Sequence, residues 1–257
     1  MGAYTDINGH ATWVEERGSG SETVLLLHGG LSNGDDLLDS IGGPLAARHR
    51  LIAFDRRGHG RTADTDEPFH YESMTDEAEA VLERVGGPAH LVGWSDGGII
   101  ALLLAKRRPD LVSKMVLIGA NFHFEGVITA EMSPESDAAK QIHADYVARS
   151  PDGADHFDIV MQKAFTLFAT EPTMTVDDLR DIAAPTLVLV GDDDMIDLRH
   201  TRELYEALPD AQLAVVPGTS HAVPFEKPAE TARLIEEFLA GAGTPQTLMP
   251  VRRARRG

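Results

Sequence analysis

Six short apolar runs recur along the chain, separated by stretches that carry glycine, proline and charged residues. None of them alternates apolar with polar positions, which is typical of strands buried on both faces of a sheet. The runs are Thr23–Leu27, Leu51–Phe54, His90–Gly93, Met115–Ile118, Thr186–Val190 and Gln212–Val216.

A different pattern opens the chain. Two strand-like segments, Tyr4–Ile7 and Ala11–Glu16, flank the dipeptide Asn8-Gly9. Asn-Gly tolerates the positive φ angles of a tight type I′ turn, so this pattern predicts an antiparallel hairpin.

Helical periodicity lies between the apolar runs, and each helix is followed by another predicted strand or by the end of the fold. The predicted helices are Thr75–Val85, Gly97–Arg107, Arg199–Leu208 and Pro228–Ala240. Strands that alternate with helices indicate the α/β class, with a mostly parallel sheet covered by helices on both faces.

The segment 121–184 interrupts this alternation, because it contains no convincing strand. Aromatic and other large apolar side chains are mixed there with many acidic residues: Phe122, Phe124, Phe157, Met161, Phe165 and Phe168. We interpret it as a small helical lid inserted into a core formed by 1–120 and 185–242. The alternative is that its aromatics form a satellite core, and both can hold at once because a lid must bury one face on the main domain. The remaining residues, 243–257, are expected to form a flexible basic tail.

Composition and charge exclude several classes of function. The chain has 257 residues, a net charge of −18 and no cysteine, which excludes disulfides, thiolate metal sites and a cysteine nucleophile. Nucleic acid is not an expected partner, since phosphate binding needs a basic face, and no apolar run approaches the roughly 20 residues of a membrane span. We expect a cytoplasmic protein, because the N-terminus also lacks the features of a secretory signal.

Candidate chemistry begins with Gly93-Trp94-Ser95-Asp96-Gly97, which fits the pattern G-x-S-x-G. The motif lies between a predicted strand and a predicted helix, the context in which it marks a nucleophilic serine on a sharp turn. Ser95 is therefore the candidate nucleophile.

A serine hydroxyl needs a base, and the base needs an acid that orients it. His221 follows the sixth apolar run, and Gly191-Asp192-Asp193-Asp194 follows the fifth, so both loops belong to the carboxyl edge of the sheet, where ligands gather. The order serine, aspartate, histidine is that of a hydrolytic triad. Any of the three aspartates could be the acid.

Taken together, these motifs resemble those of the α/β-hydrolase superfamily over the whole span from the hairpin to the last helix. The resemblance rests on His28-Gly-Gly30, Asp55-Arg-Arg-Gly-His-Gly-Arg-Thr62, the serine turn, Gly191-Asp-Asp-Asp194 and Pro217-Gly-Thr-Ser-His221. It implies Asp194 as the triad acid, three residues after the glycine. It also implies an oxyanion hole formed by the N–H groups of Gly30 and Asp96, and no cofactor.

The residues around the serine look like those of biphenyl-hydrolase-like, valacyclovir-hydrolase-type esterases. We therefore expect a serine hydrolase of small carboxylic esters; alternatives are an α-aminoacyl ester hydrolase, a lactonase, a carbon–carbon bond hydrolase, a perhydrolase or a non-catalytic receptor of this fold. The expected substrate-binding residues are Trp94, Asp96, Phe122 and Phe165. Asp96 either reads an acyl ammonium or forms a structural contact within the turn.

No metal site is expected. The aspartate triplet could hold a divalent cation, but no further oxygen ligands are spaced around it. Four residues of the lid also look like ligands and are instead expected on a solvated face: His143, Asp145, His156 and Asp158. The sequence leaves open whether the protein is a monomer or a homodimer.

Overall fold

The computed structural model describes residues 2–128, 135–241, 245 and 247–251. Eight strands form one sheet in these ranges, and all six apolar runs lie within strands, as does the opening hairpin. They are β1 (Gly2–Ile7), β2 (His10–Arg17), β3 (Thr23–Leu27), β4 (Arg50–Phe54), β5 (Ala89–Trp94), β6 (Val112–Ile118), β7 (Thr186–Gly191) and β8 (Ala211–Val216).

The sheet runs in the order β1-β2-β4-β3-β5-β6-β7-β8. The hairpin strand β2 pairs antiparallel with β1 and with β4, and all the other neighbours are parallel. At the hairpin turn, Asn8 and Gly9 have φ angles of 54° and 83°, as the type I′ prediction requires. The carboxyl ends of β3, β5, β7 and β8 therefore lie along one edge of the sheet.

Helices cover both faces of the sheet and bury an apolar cluster on each. One cluster includes side chains of α3, α4 and α8, and the other includes side chains of α1, α2 and α10. The helices are α1 (Gly34–Ser40), α2 (Gly42–Ala46), α3 (Tyr71–Val85), α4 (Asp96–Arg107), α5 (Asp137–Arg149), α6 (Phe157–Phe168), α7 (Val176–Arg180), α8 (Leu198–Ala207), α9 (Val223–Glu226) and α10 (Pro228–Ala240).

Two features of the first half differ from the sequence prediction. Helices α1 and α2 were not predicted, although Asn33 and Asp36 form a capping box at the start of α1. Helix α3 begins at Tyr71, four residues before the predicted start. The N–H of Tyr71 donates to Glu171 Oε2 at 3.0 Å, so a side chain 100 residues away caps this helix.

The described part of segment 121–184 carries α5, α6 and α7. Its buried side chains belong to the same apolar cluster as those of α3 and α4. Polar contacts anchor the segment to the loop after β4: Asp64, with a side chain 1% exposed, lies 2.7 Å from Lys163 Nζ and 2.9 Å from His156 Nε2. Of the predicted basic tail, the arginines at 252, 253, 255 and 256 lie outside the described residues.

Candidate active site

Ser95 lies between β5 and α4 with φ 54° and ψ −119°, a backbone conformation that residues other than glycine rarely adopt. Its N–H donates to the carbonyl of Ile118 at 2.8 Å, which holds the turn against the end of β6. The turn is tight: a Cβ on Gly93 would lie 2.2 Å from the carbonyl oxygen of Gly97. Strain of this kind is held by its surroundings and is common at functional sites.

His221, in the loop after β8, makes a hydrogen bond from Nδ1 to Asp194 Oδ1, at 2.7 Å. Asp194 also accepts the N–H of Ile196 at 3.0 Å, and its side chain is fully buried. Because the carboxylate engages Nδ1, the Nε2 nitrogen is left to exchange a proton with a nucleophile.

The other two aspartates of the triplet have different partners. Asp192 accepts the N–H of Thr219 at 3.1 Å, and the N–H of Asp193 donates to the Thr219 carbonyl, also at 3.1 Å. These contacts join the loops that follow β7 and β8. The structure thus places Asp194, rather than Asp192 or Asp193, against the imidazole.

Gly119 lies against this pair, and the sequence analysis did not single it out. It follows β6 with φ 59°, and a Cβ there would lie 2.9 Å from His221 Nδ1 and 3.3 Å from Asp194 Oδ2. The only sequence signal is its position directly after an apolar run at the carboxyl edge of the sheet.

Trp94, expected to bind substrate, is tied to the histidine loop. Its indole N–H donates to the carbonyl of His221 at 2.9 Å, and its ring lies 5.8 Å from the imidazole ring. On another side it packs edge-on against Phe225 at 4.8 Å. Since Trp94 precedes Ser95 directly, this hydrogen bond joins the serine turn to the loop that carries His221.

Asp96 is 4% exposed and has polar partners inside the protein. Oδ1 accepts the hydroxyl of Tyr71 at 2.9 Å, and Oδ2 lies 3.7 Å from a guanidinium nitrogen of Arg56. Burial raises the pKa of Asp96, although Arg56 and Tyr71 act in the opposite direction. Both partners lie outside the serine turn, one at the start of α3 and the other after β4, and sequence reasoning missed them.

The expected oxyanion residues Gly30 and Asp96 lie side by side. A Cβ on Gly30 would lie 2.7 Å from Asp96 Oδ2 and 2.6 Å from Phe168 Cζ, so only glycine fits between them. The N–H of Asp96 is in the first turn of α4, where no residue of the preceding turn can accept it.

The two phenylalanines expected to bind substrate have different surroundings. Phe122 is 5% exposed and stacks on His200 at 4.0 Å, whereas Phe165 is 53% exposed and lies 6.1 Å from Phe168. Phe168, at the end of α6, is the aromatic residue in contact with Gly30. Burial lowers the pKa of His200 to about 4, so this imidazole is neutral near pH 7.

Within the ranges that the structure describes, no group of three or more histidine, aspartate or glutamate side chains could hold a metal ion. In the same ranges, no helix combines the length and apolar character needed to cross a membrane.

The chain belongs to the alpha/beta hydrolase family, which it matches over residues 24–234. It is 28% identical to serine hydrolase BPHL of Mus musculus, covering 92% of this chain and 86% of that protein. It is also 28% identical to a non-heme haloperoxidase of Rhodococcus erythropolis, covering 87% and 93%. The similarity to BPHL confirms the resemblance to biphenyl-hydrolase-like proteins.

A solved structure shares the fold. The crystal structure of a serine hydrolase involved in carbazole degradation, CarC, superposes with a TM-score of 0.77 at 20% identity. The match covers 93% of this chain and 98% of that chain. The fold is therefore the α/β-hydrolase fold, with a mostly parallel sheet and antiparallel N-terminal strands, as the sequence predicted.

Proposed function

We propose that this protein is a serine hydrolase that cleaves a carboxylic ester of a small molecule through an acyl-enzyme. Ser95 is the nucleophile, His221 the general base and Asp194 the residue that orients the imidazole. The observation that carries the proposal is the 2.7 Å contact between His221 Nδ1 and Asp194 Oδ1, in a loop that Trp94 ties to the strained serine turn.

In the first half-reaction, the Ser95 hydroxyl transfers its proton to His221 Nε2 while its oxygen forms a bond to the acyl carbon. The carbonyl π electrons move onto oxygen, which accepts hydrogen bonds from the N–H groups of Gly30 and Asp96. When the carbonyl reforms, the bond to the alcohol oxygen breaks, and His221 donates to that oxygen the proton taken from Ser95.

In the second half-reaction, water takes the place of the alcohol. His221 removes a proton from the water while the water oxygen attacks the acyl carbon. The bond between the acyl carbon and the Ser95 oxygen then breaks. The serine oxygen recovers the proton and a carboxylic acid leaves. The Ser95 proton leaves on the alcohol, and a proton from water replaces it. Ser95 and His221 thus regain their starting protonation states, so the cycle uses no cofactor.

Segment 121–184 is proposed as the lid of this site, over a core of 1–120 and 185–242. The contact between Phe168, in the last turn of α6, and Gly30 supports this assignment. An aromatic ring at that position bounds the space in front of the oxyanion donors and gives the acyl group an apolar wall. Phe168 thus joins Trp94, Asp96, Phe122 and Phe165 as a candidate for substrate contact.

The contacts of Asp96 bear on the alternative of α-aminoacyl esters. Its carboxylate is already bonded to Tyr71 and paired with Arg56, so an incoming ammonium would meet a charge that is largely compensated. We therefore expect neutral acyl groups. The test compares kcat/KM for an α-aminoacyl ester and its desamino counterpart: use within about threefold is expected, and a tenfold or larger preference for the aminoacyl ester would assign Asp96 to the ammonium.

The deciding experiment for the activity is Ser95→Ala, assayed on p-nitrophenyl acetate and butyrate and labelled with a fluorophosphonate. We expect the wild type to turn over both esters and take the label, and the variant to lose more than about 100-fold in kcat/KM while its melting temperature is kept. Ser113→Ala, at an exposed serine at the opposite edge of the sheet, is the matched control. A labelled wild-type protein that hydrolyses lactones or amides but no ester would contradict the ester assignment, and a protein that neither turns over nor takes the label would favour a receptor.

A further inference from the structure

Arg56 is a charged residue whose guanidinium lies inside the protein, beside the proposed oxyanion hole. It follows Asp55 at the end of β4, yet its side chain is fully buried. Its guanidinium donates to two backbone carbonyls, from Nη1 to His28 at 2.5 Å and from Nη2 to Gly29 at 3.0 Å. A buried charge held by two carbonyls of one loop fixes the position of that loop, because moving it would leave the charge unsatisfied.

The carbonyl of Gly29 receives a second hydrogen bond, from His28. Its Nδ1 lies 2.8 Å from the Gly29 oxygen, and its Nε2 accepts the N–H of Arg56 at 3.2 Å. Since a carbonyl only accepts, Nδ1 carries the proton and the ring is neutral. Burial, reinforced by the guanidinium of Arg56, holds the pKa of His28 well below its usual value. Both lone pairs of the Gly29 oxygen are thus engaged.

This matters because the Gly29 carbonyl and the Gly30 N–H belong to one peptide unit. In a trans peptide these two groups point in opposite directions, so fixing the carbonyl fixes the N–H. The same guanidinium lies 3.7 Å from the carboxylate of Asp96, the residue that supplies the other proposed donor.

We infer that Arg56 is a positioning residue of the oxyanion hole: it pins the Gly29–Gly30 peptide so that the Gly30 N–H points at the developing oxyanion. The inference rests on the proposed function. Two consecutive glycines have wide conformational freedom, and without the guanidinium the Gly29 carbonyl would keep its hydrogen bond from His28 alone among the described residues.

Arg56→Met is the direct test, because methionine fills the volume without donating. Losing one oxyanion donor lowers kcat by roughly 100- to 1,000-fold. Since His28 still restrains the Gly29 carbonyl, we expect a loss of about 10- to 100-fold in kcat with KM within threefold of wild type. Binding of a trifluoromethyl ketone, whose serine adduct carries an oxyanion, should weaken by the same factor as kcat/KM.

Arg61→Met is the matched control. This arginine lies in the same loop and pairs with Asp35 at 2.6 Å, so its loss affects the loop without affecting the Gly29 carbonyl. We expect it to keep wild-type kcat and inhibitor binding. An Arg56→Met enzyme with wild-type kcat, or with reduced kcat but unchanged inhibitor binding, would overturn the inference.

A second pair of variants separates positioning from charge compensation. In Arg56→Met/Asp96→Asn the carboxylate is removed together with the guanidinium, which also relieves the unpaired charge should the single variant fail to fold. Positioning predicts that the double variant keeps the loss in kcat; full recovery would mean that Arg56 only neutralises Asp96.

Arg56→Lys keeps the charge but cannot span both carbonyls with a planar fork. We expect the kcat of Arg56→Lys to lie between those of the wild type and Arg56→Met, and a wild-type kcat would contradict the inference. These outcomes differ from a failure of the proposed function, in which the wild type itself would hydrolyse no ester.

Discussion

Gly119→Ala should damage catalysis by moving the imidazole of His221. A Cβ at this position would lie 2.9 Å from Nδ1 and 3.0 Å from Cε1 of the ring, where carbon contacts normally begin near 3.5 Å. The ring must therefore shift by about 0.5 Å, which disturbs its 2.7 Å contact with Asp194. Since a misplacement of 1 Å costs about 100-fold, we expect kcat to fall by roughly 10- to 100-fold with little change in KM.

The variant also carries a methyl group at φ 59°, which lowers the free energy of unfolding by about 1–2 kcal/mol whatever lies nearby. Gly86→Ala separates the two effects, because Gly86 has φ 92° and open space within 4 Å of its Cβ position. Urea unfolding should show a loss of stability in both variants, and steady-state kinetics should show a loss of kcat in Gly119→Ala alone. Wild-type kcat in Gly119→Ala, or equal losses in both variants, would refute the reasoning.

Three further outcomes are expected. Asp194→Asn should lower kcat by up to about 10,000-fold because an amide favours the wrong imidazole tautomer. The kcat of Asp192→Asn should stay within about threefold of the wild-type value, and equal losses of ester hydrolysis in the two variants would refute the assignment. Lys163→Met should lower the free energy of unfolding, measured in urea, by about 3 kcal/mol, because it removes one partner of the buried Asp64 carboxylate. A loss below about 1 kcal/mol would mean that water takes the place of the lysine ammonium. The pKa of His200 is about 4 in the folded protein and 6.5 in the unfolded chain, so the unfolded state binds more protons between these values and stability falls as pH is lowered from 6.5 to 4. His200→Gln should therefore reduce the dependence of the melting temperature on pH in this range. An unchanged dependence would contradict the assignment.

The architecture could be predicted because each strand is visible as a local apolar pattern in the sequence. Two elements have the same bounds in the sequence prediction and in the structure: the strand Thr23–Leu27 and the helix Pro228–Ala240. A continuous apolar run marks the strand, and an amphipathic stripe that begins at a proline marks the helix. The start of α3 carried no such signal. Its cap comes from Glu171, and a contact between residues 100 positions apart leaves no trace in a local pattern.

The candidate site divides in the same way. Ser95 and His221 follow strand ends, so motif and order predicted them. Motif and order narrowed the acid to three aspartates, and the family resemblance selected Asp194 among them. The inward turn of Arg56 could not be anticipated, because the Asp55–Thr62 stretch contains three arginines and nothing in their spacing shows which guanidinium is buried. Gly119 was missed for a related reason: a glycine after a strand is common, and only its neighbours in space give it a role.

The hydrogen bond from Trp94 to the carbonyl of His221 gives the protein a built-in optical probe. The chain has two tryptophans, and the other, Trp13, lies on the hairpin beside Tyr4. An imidazolium accepts an electron from an excited indole more readily than a neutral imidazole does, so emission from Trp94 falls when the ring 5.8 Å away takes up a proton. In a Trp13→Phe background, a rapid-mixing record of this fluorescence therefore follows the proton on the imidazole as it moves during the formation and hydrolysis of the proposed acyl-enzyme.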